Sequence, residues 1–203
     1  ATVAATPADL RFVCANADEG DSGTFADRML MEGDPFALLE GMAIAAWAVG
    51  ANEGFVYVRS EYPHAAAAMR RAVVAAREGG WLGPDILGSG FAFDVEVRVG
   101  AGAYICGEET SMLESLEGRR GEVRAKPPIP AVSGLFGRPT VVNNVLTLAT
   151  VPAILADGPE AYAAHGTDRS RGTQIVQLAG NVARGGLVEV DFGITLRELV
   201  EDF

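Results

Sequence analysis

Apolar residues occur in short runs and periodic stretches that glycines, prolines and acids separate. Arg11 to Ala15 reads as a short apolar strand that the polar run Asn16 to Asp21 ends. Asp34 stands at a cap position and Pro35 at a first helical position. Phe36, Leu39, Ala43, Ala46 and Trp47 then keep helical spacing, which predicts a helix up to Gly50. Phe55 to Val58 is the next predicted strand, and His64 to Glu78 the next helix, closed by Gly79-Gly80. Phe91, Phe93, Val95, Val97 and Val99 alternate with Asp94, Glu96 and Arg98, the signature of a half-buried strand. It runs through Gly100 to Gly107 into a helix of roughly Glu108 to Leu116, ended by Gly118.

Arg119 to Pro139 is punctuated by glycine and proline and is expected to be a loop, and Asn143 to Leu155 a helix. Beyond Arg171 a strand at Thr173–Leu178, a turn at Gly180–Gly186, a strand at Leu187–Val190 and a helix capped by Thr195 are predicted. The alternation of strands and helices implies an α/β layered fold with parallel pairing. The expected domains are 1–170, an α/β domain, and 171–203, the opening of a small α+β domain.

Composition narrows the functional classes. Sixteen Lys and Arg against 27 Asp and Glu give a net charge of −11, which repels phosphate backbones and anionic lipid, so nucleic acid is not an expected partner. The longest apolar stretch, Gly41 to Ala51, is about half of the ~20 residues a membrane span needs. With no leader-like opening, the expected location is the cytoplasm, without direct membrane insertion. Cys14 and Cys106 lie far apart with no neighbouring His, which implies two buried strand-end thiols and no metal site. A first residue Ala1 and a last residue Phe203 inside a periodic stretch lead us to expect a fragment.

Three constellations could carry chemistry. Gly102 to Gly107 has phosphate-loop spacing, but Glu108 and Glu109 stand where a nucleotide triphosphatase needs Lys and Ser/Thr. Those two acids could equally serve the dipole of a first helical turn. Asp18, Glu19 and Asp21 crowd the end of the first strand. A calcium loop is excluded because Met29 holds the twelfth position, leaving either a solvated acidic turn or acceptors for sugar hydroxyls and a heterocycle edge. Asn143 and Asn144 are adjacent amides that either bond backbone or bond a ligand. Lys126 is the sole lysine, and His64 and His165 have no metal or base partners in sequence.

Taken together, several segments closely resemble the NADH-oxidising flavoprotein subunit of respiratory complex I, a module shared with NAD-linked formate dehydrogenases and NAD-reducing hydrogenases. They are Asn16-Ala-Asp-Glu19, Gly23-Thr-Phe-Ala-Asp-Arg28, Gly100 to Thr110, Leu116-Glu-Gly-Arg-Arg120, Lys126-Pro-Pro and Pro139 to Thr147. The resemblance implies an FMN-binding layered sheet followed by a partial β-grasp (ubiquitin-like) domain. It implies FMN as cofactor and NAD(H) as substrate, with a 4Fe-4S cluster in the full-length subunit only. The implied partners are other subunits of a multi-subunit dehydrogenase, an iron-sulfur subunit among them. By matching motif, Asn16, Asp18 and Glu19 would meet the flavin and its ribityl chain, and Tyr104 and Gly107 would line the ring. Glu108 would act beside flavin and nicotinamide as the catalytic residue, Glu109 and Lys126 would hold NADH, and Asn143 and Asn144 would bond the FMN side.

The family's glycine-rich loop would precede Ala1 and its cysteine-rich helical domain would follow Phe203, so the 203 residues alone are expected to be inactive. Ile129 stands where relatives often carry an aromatic, and Ala26 where a Lys is frequent. Gln177 to Val182 and Gly185 to Val190 look more like formate dehydrogenase relatives, which makes that assembly the expected one, with complex I or hydrogenase as alternatives. A non-catalytic scaffold homologue is the alternative of another class.

Overall fold

The computed structural model describes all residues from 1 to 203. At its centre is a four-stranded sheet of β1 (Phe12–Ala17), β2 (Glu53–Val58), β3 (Asp94–Val99) and β4 (Thr140–Asn144). The order is β3-β2-β1-β4 and every pairing is parallel. The helices are α1 (Thr2–Ala5), α2 (Ala26–Gly33), α3 (Pro35–Val49), α4 (Pro63–Glu78), α5 (Glu109–Leu116), α6 (Pro130–Ser133), α7 (Val145–Asp157), α8 (Pro159–Ala164) and α9 (Leu196–Glu201).

The helix expected from Asn143 begins two residues later. Asn143 and Asn144 end β4, with Phe12 opposite Thr140 and Asn16 opposite Asn144, and the helix starts at Val145. The β-branched run Thr140-Val141-Val142 favours a pleated surface, which outweighs the helical spacing that follows it. Asn144 caps α7, its Oδ1 accepting from the Leu146 N–H at 2.8 Å. The α3 boundaries follow the sequence signals. Asp34 accepts from the Ala37 N–H at 3.2 Å, Pro35 opens the helix, and Gly50 closes it at φ 71°. Such a cap contributes about 1 kcal/mol.

β1 is buried on both sides, as a central parallel strand must be. Val13, Ala15 and Ala17 join α3, α4 and the inward side chains Val56, Val58, Val95 and Val97 in the larger core. Phe12 and Cys14 face the other way, against Tyr57, Cys106, Met112, Leu113 and Leu135. Both cysteines are buried and free, but only Cys14 is in a strand, at its middle. Cys106 lies in the 3-10 turn Tyr104–Gly107 instead.

The chain runs outward from β1 to β2 and β3, then returns to place β4 on the opposite side of β1. The carboxyl ends of β1 and β4 therefore form a topological switch point, where open α/β sheets leave a crevice. After two short strands, β5 (Gly166–Thr167) and β6 (Ser170–Arg171), an antiparallel hairpin of β7 (Thr173–Leu178) and β8 (Gly186–Asp191) precedes α9. Thr195 and Glu198 form the reciprocal cap of α9. No helix is long and apolar enough to cross a membrane.

Candidate functional site

A cleft of about 600 Å³ opens at the switch point. It brings together Asn16, Asp18, Glu19, Tyr104, Gly107, Glu108 and Asn144 from the residues singled out in sequence. Asn143 does not line it, because successive strand side chains point to opposite faces and Asn144 takes the cleft side. Glu109 and Lys126 lie beyond its rim. Glu109 borders a second cavity of about 390 Å³ together with Ile129.

The acidic end of β1 is built, not loose. Asn16 Nδ2 donates to the Gly107 carbonyl at 2.9 Å, and its Oδ1 accepts from the Asp18 N–H at 3.2 Å. One amide thus ties β1 to the Tyr104–Gly107 turn. Glu19 accepts from the Asp27 N–H at 3.1 Å, the Arg28 N–H at 3.3 Å and the Tyr62 hydroxyl at 3.1 Å. It is the carboxylate at the N-terminus of α2, where the helix dipole favours negative charge. The Arg59 guanidinium donates to the Glu19 carbonyl and lies 5.1 Å from the centre of the Tyr62 ring. Asp18 keeps one carboxyl oxygen, Oδ2, buried without any partner. Burial raises its pKa, the nearby Arg59 lowers it, and Glu61 raises it again.

Across the cleft, Tyr104 is 72% exposed, and its hydroxyl donates to Asp21 at 3.2 Å. Its ring covers Gly20, where an added Cβ would come within 2.8 Å of it. Glu108 is the N-cap of α5. Its Oε2 accepts from the Thr110 N–H, the Thr110 hydroxyl and the Ser111 N–H at 2.9, 2.6 and 2.9 Å, and its Oε1 from Lys126 Nζ at 3.0 Å. Burial pushes its pKa up, but the bonds from Thr110, Ser111 and Lys126 prevail and hold it at about 2. Lys126 also donates to Glu109 at 2.5 Å, and that bond, then the one to Glu108, raises its own pKa.

Sequence reasoning missed Asp27, Thr24, Tyr62, Arg59, Ile175 and Gln177. Asp27 is only 4% exposed, and its Oδ2 accepts from Asn144 Nδ2 at 2.7 Å. Burial, then the Glu19 charge, pushes its pKa up to about 7, against the pull of the Asn144 bond. A signal existed, since Asp27 is four residues before the fully buried Met31 and so sits on the apolar face of a helix. Ile175 and Gln177 lie far along the chain, in a hairpin whose docking no local pattern reveals.

The cleft therefore presents acceptors at its acidic end, three side-chain amides, and an aromatic ring beside glycine. Its volume is that of a mononucleotide-sized ligand. The partnerless Asp18 oxygen fits a ligand hydroxyl or N–H, because an unmet buried acceptor costs about 1–3 kcal/mol. The residues present thus suit a heterocycle and a polyol chain. None of the lining residues is Lys or Arg, so a phosphate must find its donors elsewhere.

Comparison with known proteins identifies the family. The family described as the Nuo51 FMN-binding domain matches residues 2–153. An NADH-quinone oxidoreductase component of Rhizobium meliloti is 54% identical over 192 residues, covering 95% of this chain and 46% of that protein. The HndC component of an NADP-reducing hydrogenase of Solidesulfovibrio fructosivorans is 50% identical over 195 residues, covering 96% of this chain and 40% of that one. The chain thus spans less than half the length of these relatives. An NAD+-reducing NiFe-hydrogenase in its H2-reduced state superposes with a TM-score of 0.87 at 39% identity, over 98% of this chain and 34% of its own.

Proposed function

The chain belongs to the Nuo51 FMN-binding domain family, and from that premise we propose that it is the flavin-holding part of an NADH:acceptor oxidoreductase, or diaphorase, module. In this reading a hydride passes between NAD(H) and FMN, and electrons leave through iron-sulfur clusters, one of them a 4Fe-4S cluster of the full-length subunit. The observation that carries the reading is the convergence of Asn16, Asp18, Glu19, Tyr104, Gly107, Glu108 and Asn144 on one cleft at the switch point.

Bound FMN supplies a centre that accepts two electrons as a hydride and releases them one at a time. The chain's residues bind and bias it. Asp18, through its free oxygen, and the amides of Asn16 and Asn144 engage hydroxyls and the ring edge, while the Tyr104 ring excludes water from one side. Glu108 holds an ionised carboxylate at the cleft wall and disfavours added negative charge there. Lys126, drawn from its bonds to Glu108 and Glu109, offers the cation that a dinucleotide phosphate or ribose requires. A scaffold without chemistry would have no use for the unpaired buried oxygen of Asp18.

The quinone-oxidoreductase and hydrogenase assemblies have the support of the relatives reported. The formate dehydrogenase expectation rests on Gln177 to Val190 alone. A hairpin followed by a capped helix supports assigning residues 171–203 to the start of a β-grasp domain. The test is spectroscopic. The full-length protein should purify with a flavin absorbance that NADH bleaches, and full-length protein without flavin would overturn the reading.

A further inference from the structure

The cleft is not made by the flavin domain alone. Ile175 and Gln177, two apart on β7 and so on the same face of the hairpin, line its outer side. They come from residues 171–203, which the sequence assigned to a different domain. Gln177 Nε2 donates to Thr24 Oγ1 at 2.6 Å, and Thr24 Oγ1 donates to Glu19 Oε1 at 3.4 Å. The Gln177 amide oxygen is also 2.9 Å from Thr24 Oγ1, so both ends of the amide rest on one hydroxyl. A side-chain relay therefore runs from the hairpin, through Thr24, to the carboxylate that anchors α2 and Tyr62.

We propose that the β7 strand is a functional wall of the flavin cleft, with Ile175 and Gln177 as ligand-contacting, specificity-determining residues and the Gln177–Thr24 pair as the latch that holds the wall in place. The inference rests on the flavin reading above and deepens it. An aliphatic side chain and an amide side by side suit a heterocycle: Ile175 packs on an apolar ring, and the remaining Gln177 N–H donates to a ring carbonyl. An amide is the right group here. The lining already holds the carboxyl groups of Asp18, Glu19, Asp21, Asp27 and Glu108 and no Lys or Arg, so another acid would find no cation among them. The Thr24 hydroxyl has Gln177 Oε1 at 2.9 Å and Glu19 Oε1 at 3.4 Å as acceptors, and it accepts from Gln177 Nε2 at 2.6 Å. Gln177→Glu keeps the acceptor, loses the Nε2 donor that holds Thr24, and adds charge to an acidic cleft.

The experiment uses the full-length protein, stripped of flavin and titrated with FMN and with riboflavin by fluorescence quenching, in wild type, Gln177→Ala, Gln177→Glu, Ile175→Ala, Thr24→Val and the Thr24→Val/Gln177→Ala double variant. Gln174→Ala, on the opposite face of β7, is the control. We expect a flavin dissociation constant about fivefold to tenfold weaker in Gln177→Ala. Gln177→Glu should be weaker still, Gln174→Ala unchanged, and the double variant no worse than the sum of its parts, with coupling between the two sites. The bound-flavin absorption should lose fine structure in Ile175→Ala, a signature that a change in stability alone would not produce. Flavin affinity and spectrum equal to wild type in both Gln177 variants and in Ile175→Ala, while wild type holds flavin, would overturn this inference and leave the flavin reading intact. A wild type that holds no flavin overturns that reading, and this inference with it.

Discussion

Glu108 and Asp27 are both cleft carboxyls, yet their surroundings drive them in opposite directions. Glu108 is held near pKa 2 by Thr110, Ser111 and Lys126, whereas burial and Glu19 lift Asp27 to about 7. A carboxyl whose folded pKa is depressed adds stability above its unfolded value, about 4.3 for Glu, and loses it as pH falls towards 2. For Asp27 the sign reverses. The unfolded chain releases that proton near about 3.9, so stability falls as pH rises from there to 7, and the penalty is complete above 7. Asp27→Asn keeps an acceptor for Asn144 and removes the penalty. It should gain at most about 4 kcal/mol at pH 8, and less at pH 5, in urea unfolding. A variant less stable than wild type at pH 8 would contradict the assignment. Glu108 makes a second prediction in the flavin-loaded full-length protein. Loss of its charge in Glu108→Gln should raise the flavin midpoint potential by tens of millivolts, reduced because Lys126 already neutralises part of it. Lys126→Met should shift the potential the other way, and no shift in either variant would remove both residues from the flavin's field.

Among the elements, α3 and α7 cross where Gly41 meets Leu148, and a methyl group at Gly41 would overlap the Leu148 carbonyl. Backbone cannot yield as a side-chain tip can. Gly41→Ala should therefore destabilise by roughly 2–3 kcal/mol or more, although alanine is the better helix former. Thermal unfolding measures this directly, and a rise in midpoint would mean that the helices separate freely. The same pair shows what local pattern can and cannot convey. Both ends of α3 are legible because Asp34, Pro35 and Gly50 act through backbone chemistry within a few residues. The start of α7 is less so: Thr140 to Val142 are β-branched, but pairing with β1, about 130 residues earlier, is what carries the strand on through Asn143 and Asn144. Gly41, within an apolar run, gives no sign that its missing side chain is the contact. The acids are legible as a group, but their roles are not. Glu108 caps α5, close to the first-turn reading that its sequence already offered, whereas the helix-end role of Glu19 needs α2, which no pattern marked.

In the molecule as a whole, charge and topology act together on one ligand. The net charge is −11, and the cleft lining has the five carboxyl groups of Asp18, Glu19, Asp21, Asp27 and Glu108 without a single Lys or Arg. A flavin ring and its hydroxyls can be met by these groups, but a phosphate of nearly two negative charges cannot, since it needs several N–H donors or a cation at short range. The core is a separate matter. The four strands pair without a gap and both faces of the sheet are packed, so the chain should fold. We therefore expect the 203-residue chain to purify as a folded, colourless protein that does not oxidise NADH. Its FMN dissociation constant should be weaker than about 10 μM, less than roughly 7 kcal/mol of binding. Riboflavin, which has no phosphate, should bind at least as tightly as FMN, and added salt should narrow the difference by screening beyond about 8 Å at physiological strength. Parallel titrations with both ligands at low and high salt decide this. FMN binding ten times tighter than riboflavin, or a yellow preparation with stoichiometric flavin, would mean that the chain holds a set of phosphate donors outside this cleft's lining.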